Sequence, residues 1–465
     1  MPRLLLVLAI VAVWEVPLRG VARAKAAAPA ADGASGPGFR LSSALKPGHA
    51  ATVSASLELG GELLARDKEG QESRLPLSVA AKLNYEEQLV AWWADAGMSS
   101  RSIRRYRHAA ATIKTPEKSD ALELSPESRL IVARTTADSA TLNGLNGPLT
   151  RREYDLLDVV GSSLVIDRLL PDKELKEGEG WEHDAATMGA LLDMDHVAIC
   201  EVRSIVTGQS NRQVQIRMAG AVHGTVEGSA SEMDLRGAYL YHLDEGRITK
   251  FNLAIQEVRK PGEVTPGLDV VAKLSLVVAP ARKALFDDSL LEHARELAND
   301  QLEELYAESP ERGYRFRHSA AWYVTAEHRE LTSLRLLAGG DMISHCNITT
   351  LPARPADRPM TLQQFESDIV KSLGERLEKV EAATQWVNEA GHQCLGVIAV
   401  GEVEGTPVQW RHYFVSGDGL RPVSVAVTLE RQAVERFADA DKLIIESMTL
   451  LPPPATATKL EPVKK

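Results

Sequence analysis

The sequence predicts an α+β protein: a curved antiparallel β-sheet domain, then a smaller domain that mixes strands and helices. Three observations carry this expectation. Between residues 213 and 278, four runs alternate apolar and polar side chains with short turns between them, the mark of half-buried antiparallel strands. From Ser289 the apolar period becomes helical, with Leu290, Ala294, Leu297, Ala298, Leu302 and Leu305 on one stripe. Beyond Gly313 the pattern reads strand, strand, helix, several strands, helix.

The elements follow in chain order. Met1-Pro2-Arg3, an apolar run over residues 4–14 and the small residues around Ala22-Arg23-Ala24 are the three parts of a secretory signal peptide. Residues 1–24 are therefore expected to be removed and the protein exported, to a periplasmic or extracellular location. The run falls short of the roughly 20 apolar residues a spanning helix needs, and no later stretch reaches that length. Residues 25–48 read as a disordered linker. Alternation at Val53, Ala55, Leu57 and Leu59, and again from Leu75 to Tyr85, opens an antiparallel β-rich domain over residues 49–282. Within it, Thr150 and Glu153 form a capping box ahead of a short helix, and a second short helix is expected at 184–192. Gly220, Gly224 and Gly228 fall on one face of the strand containing Val222. Such glycines mark either close approach of another element or space for a ligand. A connecting helix is expected within 283–310, begun by a Ser289–Glu292 capping box and ended at Ser309-Pro310. The second domain spans 311–452, with helices at 361–377 and about 436–448. Residues 453–465 read as a disordered tail.

Composition narrows the function. The chain has 465 residues, 44% hydrophobic and 25% charged, an ordinary globular mixture. Loss of residues 1–24 removes Arg3, Arg19, Arg23 and Glu15, a net +2, and moves the formal charge from −11 to −13. An acidic body of this kind is a poor partner for nucleic acid or an anionic membrane surface. About 440 remaining residues exceed one compact core, so two or three domains are expected.

Motifs for nucleophiles and cofactors are absent: no G-x-S-x-G, H-E-x-x-H, Walker loop or C-x-x-C occurs, and no cofactor is expected. Of the three cysteines, Cys346 and Cys394 fall in one domain and could form a disulfide, whereas Cys200 reads as a buried thiol. His392 and Cys394, two apart on a strand, share a face and could bind zinc or copper with Cys346 or His345. A disulfide or two buried thiols explains the cysteines with fewer assumptions. Glu182, His183, Asp184, Asp193, Asp195 and His196 could serve acid–base chemistry if they converge. Otherwise Asp184 caps the short helix, and Asp193 and Asp195 sit in the turn after it. Arg101, Arg104, Arg105, Arg107 and His108 surround Tyr106, either an anion-binding patch or a solvated strand face. Trp92-Trp93 offers a stacking surface or a core anchor.

Two resemblances sharpen the picture. Tyr314-Arg315-Phe316, Ala321-Trp322 and the hairpin strand Gln409-Trp410-Arg411-His412-Tyr413-Phe414 resemble the PsbP-like family over about residues 312–452. That resemblance implies an α/β/α sandwich and roles in assembly, binding or scaffolding, with no shared catalytic set. Leu170-Pro171-Asp172-Lys173, Leu175-Lys176-Glu177-Gly178 and Trp181 are similar to a pattern of exported β-rich domains. Such meanders can curl into a half-barrel of the LolA-like, lipoprotein-carrier type. The expected function is an exported, non-enzymatic protein binding a protein partner or an apolar ligand. The alternative is a hydrolase-type enzyme with a site at the domain junction.

Overall fold

A computed structural model describes residues 38–66, 72–92, 99–136, 140–297, 304–328, 330–353 and 359–452. The signal peptide, most of the linker and the tail lie outside the described residues. The chain divides into two compact units, Met1–Glu303 and Glu304–Lys465.

The first unit opens with β1 (Phe39–Leu41) and three long strands, β2 (Ala50–Arg66), β3 (Glu72–Ala91) and β4 (Ser100–Lys114). Shorter elements follow: β5 (Ser119–Glu123), β6 (Leu130–Thr135), β7 (Ala140–Gly144), β8 (Leu149–Thr150), α1 (Arg151–Leu157), β9 (Lys173–Leu175), β10 (Gly180–Glu182) and α2 (Ala185–Leu192). The meander is β11 (His196–Ser210), β12 (Gln213–Val226), β13 (Ser229–His242), β14 (Arg247–Arg259) and β15 (Gly267–Ala281), with α3 (Asp288–Glu296) after it. One antiparallel sheet runs β10-β11-β12-β13-β14-β15-β2-β3-β4-β6-β7, with β5 added beside β4. It is open, since β10 and β7 at its two edges do not pair with each other.

Alternation decides which face of this sheet is covered. Leu57, Val79, Ile216, Leu253, Leu274 and Leu276 are buried on the inner face. The chain between β8 and α2 lies over them and contributes Leu149, Leu156, Leu164, Ile166, Leu169, Met188 and Leu191, all essentially without solvent contact. The close approach is direct: a Cβ on Gly161 would meet Leu274 at 2.4 Å and the Phe251 ring at 3.5 Å. Tyr85 and Ser163 share a hydroxyl–hydroxyl bond of 2.9 Å across the same boundary.

The second unit contains β16 (Glu304–Ser309), β17 (Tyr314–Ser319), β18 (Trp322–Glu327), β19 (Leu331–Ala338), β20 (Asp341–Thr350) and α4 (Leu362–Leu373). It continues through β21 (Leu377–Val387), β22 (Gln393–Val403), β23 (Thr406–Ser416), β24 (Val423–Glu430), α5 (Val434–Phe437), α6 (Lys442–Ser447) and β25 (Thr449–Leu450). Its main sheet has seven antiparallel strands ordered β18-β19-β20-β24-β23-β22-β21. Phe365 and Leu373 of α4 seal one face against Leu395, Val397, Ala399, Phe414 and Trp410. The other face packs Val423, Val425 and Val427 against Trp322, Phe437, Ile444 and the small β16–β17–β25 ladder.

The fold class differs from expectation. The protein is mostly β: twenty-five strands stand against six α-helices among the described residues, and the longest helix has 12 residues. The second unit is not a PsbP-like α/β/α sandwich. One helix covers one face, and on the other face two helical segments of 4 and 6 residues share the space with β structure. The expected helices were too long for identifiable reasons. The expected Ser289–Glu292 capping box does not form, because Asp287 is the N-cap and accepts from Leu290 N. The helix runs from Asp288 only to Glu296, and Leu305 lies in β16, paired with His318. Gly374 turns to φ 56° and stops α4, while Ala438 at φ 47° separates α5 from α6.

Candidate functional site

The sequence around Trp181 builds a polar site from a buried hydrogen-bonded chain and a cleft beside it. Antiparallel pairing sets Gly180, Trp181 and Glu182 of β10 against Ile205, Ser204 and Arg203 of β11. Trp181 is buried and donates its indole N–H to the Leu169 carbonyl at 2.9 Å, tying β10 to the Ile166–Leu169 turn. His183 follows, edge-on to the Trp181 ring with centroids 6.0 Å apart. Its Nε2 lies 2.7 Å from Ser204 Oγ, and Tyr239 donates its O–H to the same oxygen at 2.8 Å. With Tyr239 donating, the serine proton is directed to Nε2, which makes His183 the Nδ1–H tautomer. Burial pulls the imidazole down to about 4, so it is neutral at physiological pH.

Above this chain lies a cleft of about 610 Å³, lined by Arg168, Lys173, Trp181, Glu182, His183, Asp184, Thr187 and Arg203, among others. Asp184 is committed to α2, accepting from Thr187 N at 2.7 Å and from its hydroxyl at 3.1 Å. Arg168 donates to the Thr136 carbonyl at 2.5 Å and to Thr135 Oγ1 at 3.0 Å. Burial lowers its proton affinity to about 10, with Asp184 acting in the opposite sense.

The other sequence candidates separate. Asp193 takes the left-handed position that closes α2, and Asp195 accepts from Gly228 N at 2.9 Å. The acid–histidine group therefore does not converge on one point. Cys200 is half-buried and donates to the His183 carbonyl at 3.3 Å. Cys346 on β20 and Cys394 on β22 are both free and buried. Strands β24 and β23 lie between them. Three strand spacings are about 14 Å, well beyond the roughly 7 Å a disulfide tolerates between Cα atoms, so this pair is not bridged. Burial raises both thiols, Cys394 to about 12. His392 accepts from Leu450 N through Nε2 at 3.0 Å, which occupies the lone pair a metal would use. His345 is exposed and points away from Cys346. Among the described residues, no three His, Cys, Asp or Glu side chains are grouped to hold a metal ion.

The arginine-rich strand is spent internally. Arg101 caps the C-terminal carbonyls of α3, reaching Arg295 O at 2.9 Å and Leu297 O at 3.1 Å. Arg104 is buried, with Nε 2.8 Å from Glu87 Oε1. Arg105 and Arg107 both reach Glu86, at 3.6 and 2.5 Å. Trp92 is a core residue, and Trp93 lies outside the described residues. The glycines of β12 serve close approach: a Cβ on Gly220 would meet Glu201 O at 1.9 Å, and one on Gly224 would meet His196 O at 2.0 Å.

Sequence reasoning missed several buried ionic groups. Glu257 and Arg259 sit side by side with no exposure, joined at 2.7 Å through Arg259 Nε, and Ser231 adds a bond of 2.9 Å to the same carboxylate. Arg411 meets Asp441 at 3.1 Å beneath Phe437. Parity carried the signal, because Glu257 and Arg259 continue the stripe of Phe251, Leu253 and Ile255.

No protein-family profile matches the sequence, and no curated protein matches it. Among solved structures, it is similar to the cyanobacterial PsbP of Synechocystis sp. PCC 6803 at 12% identity and a TM-score of 0.26, over 33% of this chain and 95% of that one. It is also similar to a Pseudomonas aeruginosa protein of unknown function described as a putative regulator, at 17% identity and a TM-score of 0.22, over 30% of this chain and 92% of that one. A third likeness is to lipovitellin, at 8% identity and a TM-score of 0.29, over 52% of this chain and 26% of that one. No helix among the described residues is long and apolar enough to cross a membrane.

Proposed function

We propose that this is an exported, non-enzymatic binding protein whose partner is another protein. The contrast between the two faces of the large sheet carries the reading. The inner face is filled by the chain's own segment from β8 to α2, and the cavity left beside Tyr85, Tyr106 and Leu276 holds about 30 Å³. That is room for about one water, far below what an acyl chain needs. The outer face carries exposed apolar side chains among the described residues. Ile199, Val258, Val271 and Val277 are 43–47% exposed there, among small residues such as Ser56, Ala238, Ala254 and Ser275 and the charged side chains of Glu58, Arg217, Arg236 and Lys273. Five neighbouring strands about 4.8 Å apart and some 12 residues long present roughly 750 Å², close to the ~800 Å² each partner contributes to a standard interface.

A photo-crosslinking residue at position 271 of the full chain, in its native envelope, tests the proposal. The expected result is one crosslinked protein species, lost when Val258→Glu is added. Stoichiometric lipid in the purified protein, without a crosslinked partner, would replace it with a carrier.

The hydrolase alternative draws support from one observation, the 2.7 Å Ser204–His183 contact, which has the reach of a nucleophile–base pair. Against it, Ser204 has no solvent exposure and the imidazole is a weak base. A fluorophosphonate probe that labels wild-type protein but not Ser204→Ala would establish it.

A further inference from the structure

The geometry points to a second binding site: the cleft beside β10 takes a small, soluble phosphate-bearing molecule, gripped by Arg203 and Lys173 with Arg168 at its back. At about 610 Å³ the cleft falls in the size range of small-molecule sites. Its lining carries three cations, Arg168, Lys173 and Arg203, against two carboxylates, Glu182 and Asp184. Arg40, Arg74, Arg104, Arg107, Arg212, Arg312, and Arg317 each lie within 3 Å of a carboxylate. Arg203 and Lys173 have no ion-pair or hydrogen-bond partner among the described residues.

The position of Arg203 is built. Glu182 is its direct cross-strand neighbour, yet the two do not pair. The guanidinium lies instead against Gly180, where a Cβ would come within 3.0 Å of Nε and 3.3 Å of Nη2. The missing side chain at 180 is what admits the guanidinium to the cleft lining. Of the two carboxylates in that lining, Asp184 is occupied by α2, and Glu182 is exposed at the edge. Arg168, held by Thr135 and Thr136, brings a third cation whose burial makes a nearby anion favourable.

Three cations around a polar hollow suit an oxyanion of more than one negative charge, and a guanidinium offers two parallel N–H donors to two phosphate oxygens. A free phosphate compound and a phospholipid headgroup share this chemistry. The net charge of −11 favours the free compound, since an acidic body is repelled by an anionic lipid surface.

The full chain would be titrated calorimetrically at low ionic strength with inorganic phosphate, and separately with phosphatidylcholine vesicles with and without phosphatidylglycerol. Saturable phosphate binding is expected, weakened about tenfold or more by Arg203→Glu and by Lys173→Glu. Lys442→Glu, an exposed residue of the second unit, should leave it unchanged, with all thermal midpoints preserved. Arg203→Lys should retain part of it, because the charge remains and the fork is lost. Absence of saturable phosphate binding, or binding indifferent to both charge reversals, overturns the site. Vesicle binding that depends on Arg203 without phosphate binding overturns the soluble ligand in favour of a headgroup.

Discussion

Arg104 shows what a buried cation demands of its surroundings. Its guanidinium is shared among Glu87, Ser162 and the face of Tyr85, whose ring centroid is 4.9 Å away. Removing one ion of such a pair strands the other. Glu87→Ala should therefore cost about 3–5 kcal/mol in urea unfolding, and Glu87→Leu with Arg104→Met should recover most of that. Simple addition of the two single losses would show that the pair is not coupled. Asp167 makes a different point. Burial, opposed by Arg247 and the Ile248 N–H, lifts its carboxyl to about 6 from an ordinary 3.8. The folded state then holds the proton more tightly than the unfolded one, so this group's contribution to stability falls as pH rises from about 4 to 6. His183, pulled down to about 4, acts with the opposite sign, so the difference between wild type and Asp167→Asn is the useful quantity. Stability of wild type relative to that variant should drop by about 2–3 kcal/mol across the window, and a flat difference would contradict the assignment. In the sequence these residues looked like ordinary surface charges. Only strand parity with apolar neighbours marked Glu87 and Arg104 as interior, and Asp167, in a short turn, carried no such mark.

At the scale of elements, Gly224 separates the two readings of the glycine-bearing face. The β11 backbone occupies the space where its side chain would be, so Gly224→Val should destabilise by at least the 1–3 kcal/mol of an overpacked core. Unchanged thermal stability would refute the close approach. Strand alternation was legible from sequence for β12 to β15, because period two is a local property enforced wherever one face is covered, whereas β11 is interrupted by two register shifts. The capping box at Thr150 was legible for the same reason, and both of its reciprocal bonds form. Helix length was not legible. The stripe from Leu290 to Leu305 fits a helix equally well, but Leu305 is claimed by a ladder with His318, and such pairing leaves no trace in local periodicity. The cleft was half legible: its residues were flagged as an acid–histidine cluster. Arg203 reaches it through the pairing of β11 with β10, and Arg168 comes from the turn that the Trp181 indole ties to β10.

For the molecule as a whole, the unit beginning at Glu304 has its own apolar interior around Trp322, Val425 and Phe437. A fragment of residues 304–452 should unfold in one cooperative step. One starting at 311 should be less stable, because it lacks β16 and the ladder that strand forms with β17. Equal midpoints for the two would show that β16 contributes nothing. The thiols give a second check. Cys346 and Cys394 should resist a thiol reagent until the protein unfolds, and a chelator should leave the midpoint unchanged. Rapid labelling in the native state would contradict their placement.

The register of β2 sets the order of events as the chain folds. This strand is among the first to be made, and β3 can pair with one of its edges at once. Its other edge belongs to β15, residues 267–281, and must wait for some two hundred residues to follow. Until then a 17-residue strand shows a bare row of backbone donors and acceptors, an invitation to self-association. A chain interrupted before β15 should therefore aggregate where the complete chain does not, and slow closure of this one seam would govern how quickly the large sheet becomes safe from other copies of itself.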